Sequence, residues 1–371
     1  MKNLGIMRFL LDSGADVNGS NNDGQTALMS ATGQGWAEGV KLLLGSGAEP
    51  NAKHLYQSTA LHEACHTQSD DLDAFSESCA GLLLEAGADI GARDLGGYTP
   101  LLAALQCGNL RLGEWLLQRG ASDRVADNLG RTPLILSVRY DDAGHIVRYL
   151  LELGASPNAV DTHGVSALMV AAEHGHNEEV IKLLLKHGAD VNAVDKFGLS
   201  ALMAATEYGR NEEVFKLLLK YGADVNLVDM KGQSALMVAI TYSQDEEVIE
   251  LLLKYGADVN AADNTGRTVL MNAVKSFEVT EILLQCGADV NSVDKEGKTA
   301  VMMAIELYQG WKAWEDIRDI MRILLSAGLN EQNRKKALEL ACSLPGPNKE
   351  LVQILSTPTQ AAATTEARLG T

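Results

Sequence analysis

Gly188-Ala189-Asp190-Val191-Asn192, followed by Asp195-Lys196-Phe197-Gly198-Leu199-Ser200-Ala201-Leu202, is a pair of short runs that returns down the chain in steps of about 34 residues and decides the fold. The first run is intact at 14–18, 222–226, 256–260 and 287–291, and recognisable at 47–51, 87–90, 120–121 and 154–158. The second returns at 94–101, 127–134, 161–168, 229–236, 263–270 and 294–301. A repeating unit of this size cannot bury its own apolar face, so neighbouring units must cover one another and the chain is a stack.

Each part of the unit has a physical reading. The Gly of the first run follows an outer helix with apolar positions such as Val180, Ile181, Leu183, Leu184 and Leu185, and it ends that helix in a left-handed conformation without a Cβ clash. The Asp/Gly stretch reverses the chain. Thr or Ser then caps an inner helix, as at Thr132, where Pro133 occupies a first helical position that tolerates a missing N–H. Small apolar residues such as Leu168, Ala171 and Ala172 form that helix, and Gly175 or Gly209 opens the link to the next outer helix.

Nine such units, over roughly residues 4 to 355, resemble the ankyrin repeat family. The resemblance implies an all-α repeat solenoid of stacked helix pairs with β-hairpin loops, curved with a concave face that binds proteins. The family's Thr-Pro-Leu-His segment is altered here: Pro survives only at Pro100 and Pro133, and His only at His62. Met29, Met169, Met203, Met237, Met271 and Met302 take the His position, and a flexible thioether there is expected to fill core space. The hydrogen bonds His would make between repeats must then be absent or replaced.

The chain carries a net charge of −18. Phosphate backbones need a clustered basic surface and none is visible, which argues against nucleic acid and for a basic or mixed-charge protein or peptide partner. No long apolar run suggests a membrane span or a secretory leader. Five scattered cysteines, Cys65, Cys79, Cys107, Cys286 and Cys342, read as free thiols of a cytoplasmic protein, one class of which would be an effector delivered into a host cell. A monomer with no cofactor is expected.

Departures from the period mark two insertions. One, Thr67 to Ser78, is acidic (Asp70, Asp71, Asp73, Glu77); the other follows Tyr308 and carries Trp311 and Trp314. Either serves function or lengthens a helix. Asn177-Glu178-Glu179, Asn211-Glu212-Glu213 and Asp245-Glu246-Glu247 repeat as an acidic edge. Residues 1–20 read as an N-terminal half-repeat, either a cap or the cut edge of a longer chain, and 21–330 as the repeats. Residues 331–355 read as a C-terminal capping pair with Leu338, Leu340, Leu351 and Ile354 inward and Lys335, Lys336 and Lys349 outward, and 356–371 as a disordered tail.

Two motifs imitate enzymes. His62-Glu63-Ala64-Cys65-His66 has the His-Glu-x-x-His spacing of a zinc hydrolase, with Cys65 or Cys79 as further conceivable ligands. Thr59, Leu61, His62 and Ala64 are nonetheless explained by the repeat, and no third zinc ligand follows at a protease spacing. Gly297-Lys298-Thr299 ends like a phosphate-binding loop, but Ser292 stands where its first Gly belongs.

A more promising constellation comes from one repeat position read down the stack. The fourteenth residue from each opening Asp falls at the exposed end of the inner helix, giving Gln34, Thr67, Cys107, Tyr140, His174, Tyr208, Tyr242, Ser276 and Leu307. Tyr140, His174, Tyr208 and Tyr242 form a ladder of aromatic rings with polar tips, as binding hot spots favour; the bland alternative is that they pack on their neighbours. Arg139, Glu173, Glu207 and Thr241 adjoin them, and the hairpin residues Tyr98, Arg131, His163, Phe197, Leu199, Met230 and Arg267 extend the surface, with Phe197 and Leu199 apolar where solvent would prefer polar residues, as a covered edge would have. The expected function is a non-enzymatic interaction module, as inhibitor, adaptor or effector. A zinc hydrolase at His62, Glu63 and His66 and a passive spacer within a larger protein are the alternatives.

Overall fold

The computed structural model describes residues 3–66, 72–175, 177–207, 211–243, 245–308, 314–343 and 349–356. The chain divides into two compact units, Met1–Lys196 and Phe197–Thr371. The first opens on the outer helix Leu4–Asp12. Inner and outer helices then alternate: Ala27–Gly33 with Ala37–Gly45, Ala60–Glu63 (run on by the 3-10 turn Ala64–His66) with Leu72–Glu85, Pro100–Gln106 with Leu110–Gln118, Pro133–Ser137 with Gly144–Glu152, and Ala167–His174 with Glu178–Lys186. The second unit pairs Ala201–Glu207 with Glu212–Lys220, Ala235–Val238 and the π turn Ala239–Ser243 with Glu246–Lys254, Val269–Ala273 with Phe277–Gln285, Ala300–Tyr308 with Trp314–Ser326, and Glu331–Ser343 with Lys349–Ser356. Within each unit inner helices pack on inner helices and outer on outer.

The helices begin where the caps place them. Thr26, Thr132, Ser166, Ser200 and Thr268 each accept the backbone N–H three residues on, at 3.3–3.4 Å. On the outer side Asn177, Asn211 and Asp245 cap their helices from side-chain oxygens, and the two Glu after each sit in the first helical turn. The acidic edge thus has a local cause, because negative charge at a helix N-terminus is favoured by the aligned peptide dipoles. The loops expected as β-hairpins form no strand among the described residues. They contribute isolated antiparallel bridges, Ser20 with Thr26, Val160 with Ser166, Val228 with Ser234 and Ala262 with Thr268.

Two sets of hydrogen bonds fix neighbouring repeats to each other. The Asn of the Gly-Ala-Asp-Val-Asn run reaches forward: Asn226 Nδ2 donates to Gly256 O (3.0 Å) and its Oδ1 accepts from Asp258 N (2.8 Å), as do Asn158 with Gly188 and Asp190, and Asn260 with Gly287 and Asp289. The signature Asn is therefore an inter-repeat clip. Gly91 and Arg124 stand in its place in the third and fourth repeats, where Arg93 Nη1 instead donates to Ala126 O at 2.8 Å.

The six methionines at the His position are all buried, the core filling expected of them. Two do more. The sulfur of Met169 accepts the backbone N–H of its own cap Ser166, and that of Met271 accepts from Thr268. A thioether thus replaces the ring's bond within the repeat, but with no proton to give it cannot make the bond to the next repeat.

The insertions resolve partly. Leu72–Glu85 and Trp314–Ser326 are longer than the other outer helices, so each insertion lengthens one, while residues 67–71 and 309–313, Trp311 among them, lie outside the described residues. So does the tail from 357 on. In the last helix pair the fully buried side chains are Ala337, Ala341, Leu351 and Leu355. Leu351 is buried as expected, whereas Leu338, Leu340 and Ile354 are only half-buried, the small side chains of Ala337 and Ala341 taking the fully enclosed positions instead. Lys335, Lys336 and Lys349 are exposed as expected. Helix Leu4–Asp12 has no buried residue, and Ile6, Phe9 and Leu10 are more than half exposed.

Candidate functional site

The hairpin tips are where sequence and structure leave apolar atoms in water. Each Asp of the second run turns the chain by accepting the N–H groups two and four residues on: Asp127 from Leu129 and Arg131 at 2.9 and 2.8 Å, and Asp161 from His163 and Val165 at 2.7 and 2.9 Å. The tips are then bonded one to the next through the backbone. Leu55 N donates to Asp23 O, Leu95 N to Tyr56 O, Asn128 N to Gly96 O, Thr162 N to Leu129 O and Lys196 N to His163 O, all at 2.8–3.0 Å. The first unit therefore carries a rib of fixed register along its tips.

On that rib stand Leu55 (63% exposed), Tyr56 (63%), Leu95 (65%) and Leu129 (46%). The sequence reading passed over all four. Their signal was an apolar residue where a turn calls for a polar one, the same signal read at Phe197; His54 in place of Asp hid the register at Leu55 and Tyr56. In the second unit Met230 N donates to Phe197 O at 2.8 Å, and both side chains are largely exposed.

The residues grouped as hairpin tips separate into two positions. His163, Phe197 and Met230 are tips and exposed; Tyr98, Arg131, Leu199 and Arg267 lie on the returning limb next to the inner-helix cap. Leu199 is only half-buried there, so it is not the open apolar residue expected. Arg131 donates from Nε to Asp127 Oδ2 at 2.7 Å, bonds the Tyr98 hydroxyl through Nη2, and lies 5.6 Å over the Tyr98 ring. Burial pushes the Tyr98 phenol above its usual pKa, so it stays a neutral hydrogen-bonding group.

The aromatic ladder is not uniform. Tyr140 donates its hydroxyl to Gln106 O of the preceding repeat at 2.7 Å. Its ring lies against Gly108, where a Cβ would come within 2.8 Å of the ring and where the backbone has φ +79°. Tyr140 is thus half-buried against its neighbour, the bland alternative, and burial raises its pKa. His174 is half-buried, its Nδ1 2.9 Å from Val170 O, which makes Nδ1 the donor. Tyr242 sits in the π turn and is 53% exposed. Tyr208 lies outside the described residues. Arg139 is half-buried, with a buried Nε that has no partner among the described residues, Glu173 is exposed and Glu207 half-buried.

The zinc-hydrolase spacing has a different use. His62 is buried; its Nδ1 accepts from Thr59 N (3.2 Å) and its Nε2–H donates to Tyr98 O of the next repeat (3.0 Å). Both ring nitrogens are occupied by repeat structure, and Glu63 faces His54 at 3.3 Å. His62 thus makes the inter-repeat bond that the methionines cannot. The His66 side chain lies outside the described residues. Lys298 of the phosphate-loop imitation bridges Glu296 and Glu306 at 3.2 and 2.9 Å, and Thr299 is a buried helix cap, so neither is placed to cradle a phosphate. No helix among the described residues is long and apolar enough to cross a membrane.

Comparison with known proteins covers nearly the whole chain. The family profile described as Ankyrin repeats (3 copies) matches in overlapping windows at residues 1–94, 72–161, 142–229, 168–263, 211–294, 236–315 and 270–365. Rabankyrin-5 of Mus musculus is 33% identical over 148 residues, covering 36% of this chain and 12% of that protein. Ankyrin repeat and SOCS box protein 16 of Mus musculus is 36% identical over 110 residues, covering 29% and 24%. B-cell lymphoma 3 protein of Homo sapiens is 34% identical over 138 residues, covering 36% and 29%. The chain thus matches less than a third of the length of each of these relatives. Among solved structures, the ankyrin repeat domain of Bcl-3 aligns with a TM-score of 0.49 at 33% identity, covering 61% of this chain and 99% of that one.

Proposed function

This chain belongs to the ankyrin repeat family, whose repeats are protein-interaction modules, and from that premise we propose that it is a non-enzymatic module that grips a protein or peptide partner on the face made of hairpin tips and inner-helix ends, the concave face of the family. The observation that carries the proposal is the exposed row Leu55, Tyr56, Leu95 and Leu129 on a backbone rib of fixed register. Contiguous exposed apolar side chains favour a covering partner. A rib already held in register loses little conformational freedom when covered, so more of the contact energy remains as affinity.

Tyr56, Tyr98 and His174 supply polar groups for the partner in the first unit. In the second unit Phe197, Met230 and Tyr242 offer a comparable face. A basic or mixed-charge protein suits the net charge of −18, and a cytoplasmic setting suits five free thiols. The zinc-hydrolase reading loses its first ligand, because His62 could take a metal only by breaking its bonds to Thr59 or Tyr98.

The test is affinity capture from native lysate by the full chain, run beside a Leu95→Asp/Leu129→Asp variant with an unchanged circular-dichroism spectrum. Partners held by the parent and lost by the variant are expected; one stoichiometric partner indicates an inhibitor, several substoichiometric ones an adaptor. Identical capture by both chains removes the tips from the account.

A further inference from the structure

The second unit contains a groove of 390 Å³ between the inner helices of three consecutive repeats, lined among others by Arg267, Met271, Lys275, Met303, Glu306 and Leu307. Its floor is apolar, since Met271, Val274 and Met303 are buried core residues. Its charge is decided by which lining groups are already engaged. Asp263 Oδ1 accepts from Thr265 N, Thr265 Oγ1 and Arg267 N at 2.8, 2.7 and 3.0 Å. Glu306 is paired with Lys298 at 2.9 Å, a lysine it shares with Glu296 at 3.2 Å. Arg267 is exposed, and its guanidinium makes no ion pair or side-chain hydrogen bond among the described residues.

Arg131 provides an internal comparison. It holds the same repeat position, four residues after its own Asp, yet it is folded onto Asp127 at 2.7 Å and onto Tyr98. Position 233, which in the repeat before Arg267 corresponds to Tyr98, is Gln, so Arg267 has no aromatic ring of the preceding repeat to lie on. A planar guanidinium without an internal partner is suited to grip a carboxylate with two parallel hydrogen bonds. Asn272 adds amide donors at the same groove.

We propose that this groove binds an extended peptide segment through one Asp or Glu carboxylate held by Arg267, with an apolar side chain of the segment seated on Met271 and Met303. This rests on the interaction-module reading and deepens it, making the mixed-charge partner one that presents an acidic residue here although the chain as a whole is acidic. The complementarity is that of the Arg267 guanidinium alone.

The experiment is selection of a phage-displayed random dodecapeptide library on the full chain, followed by fluorescence anisotropy of the enriched peptides. Enriched sequences are expected to share an acidic position beside an apolar one. Arg267→Ala weakens the best of them roughly tenfold or more, the loss a charge-assisted hydrogen-bonded pair carries. Replacing the peptide's Glu by Gln costs as much, and the two changes together cost no more than either alone. Thermal unfolding of Arg267→Ala matches the parent, because the side chain makes no internal bond among the described residues. Enriched peptides without an acidic position, or affinity within twofold in Arg267→Ala, overturn the groove while leaving lysate capture intact. Loss of capture itself would instead strike the interaction-module reading.

Discussion

His62→Ala lowers the stability of the Met1–Lys196 unit by about 3 kcal/mol, the sum expected for a buried ring lost together with two net hydrogen bonds. The ring is fully enclosed and spans two repeats, accepting from Thr59 N and donating to Tyr98 O. Alanine fills neither the space nor either bond. His62→Met restores most of the loss, because Met169 and Met271 already fill the same position and accept the cap N–H with sulfur; what stays missing is the bond to the next repeat, worth about 1 kcal/mol.

The same side chain gives a pH dependence with a defined sign. Burial lowers the His62 pKa below 6.5 in the folded state, so the unfolded chain takes up a proton before the folded one does. The contribution is fully present above pH 6.5 and is lost as pH falls from there through the lower folded value. Denaturant titrations across that window show a steeper fall for the parent than for His62→Met. Equal slopes would mean that the ring is not held neutral between the repeats.

Gly198→Ala is the second large effect, and Gly297→Ala is its control. Both glycines sit at φ near +80° (+80° and +77°), a region that costs an L-residue about 1–2 kcal/mol. Around Gly297 a Cβ would meet nothing within 4 Å, so Gly297→Ala should cost only that backbone term. At Gly198 the Cβ would lie 2.9 Å from Asp229 Cα and 3.1 Å from Met230 N, both backbone atoms that cannot rotate away. Relief requires the next tip to retreat, which breaks the 2.8 Å bond from Met230 N to Phe197 O. Overpacking of this kind adds about 1–3 kcal/mol, so thermal unfolding of Gly198→Ala should fall clearly below that of Gly297→Ala. Equal midpoints would show that the tips are not held in close register.

The fold was legible because its determinants repeat. A Gly that ends a helix, an Asp that turns a hairpin and a Ser or Thr that caps a helix each act within about five residues, and seeing them at one spacing many times leaves little freedom. Effects that cross from one repeat to the next were harder to read. Nothing in the sequence alone says that Asn226 clips onto Gly256, or that Tyr140 is tied down on Gly108 while Tyr242 of the same ladder stays exposed. At one position Arg131 is folded onto its Asp and Arg267 is not, and the residue one repeat earlier differs with it, Tyr98 against Gln233. The site residues most open to a partner, Leu55, Tyr56, Leu95 and Leu129, were missed for a related reason: a single apolar residue in a turn is unremarkable, and only the tip-to-tip bonds make four of them one surface.

The zinc spacing at His62 shows the opposite hazard. A motif defined by two or three residue types at helical spacing coincides easily with a repeat that places His and small residues on the same helix. The atoms decide between them, since a ring with both nitrogens engaged by Thr59 and Tyr98 is a structural strut.

The central claim is that partners are gripped on the hairpin and inner-helix face, and hydrogen-exchange mass spectrometry of the full chain with and without its captured partner tests it most directly. Slowed exchange at residues 54–57, 94–98 and 127–131, with the outer helices Leu110–Gln118 and Glu178–Lys186 unchanged, is the predicted result. Protection confined to the outer helices would contradict it.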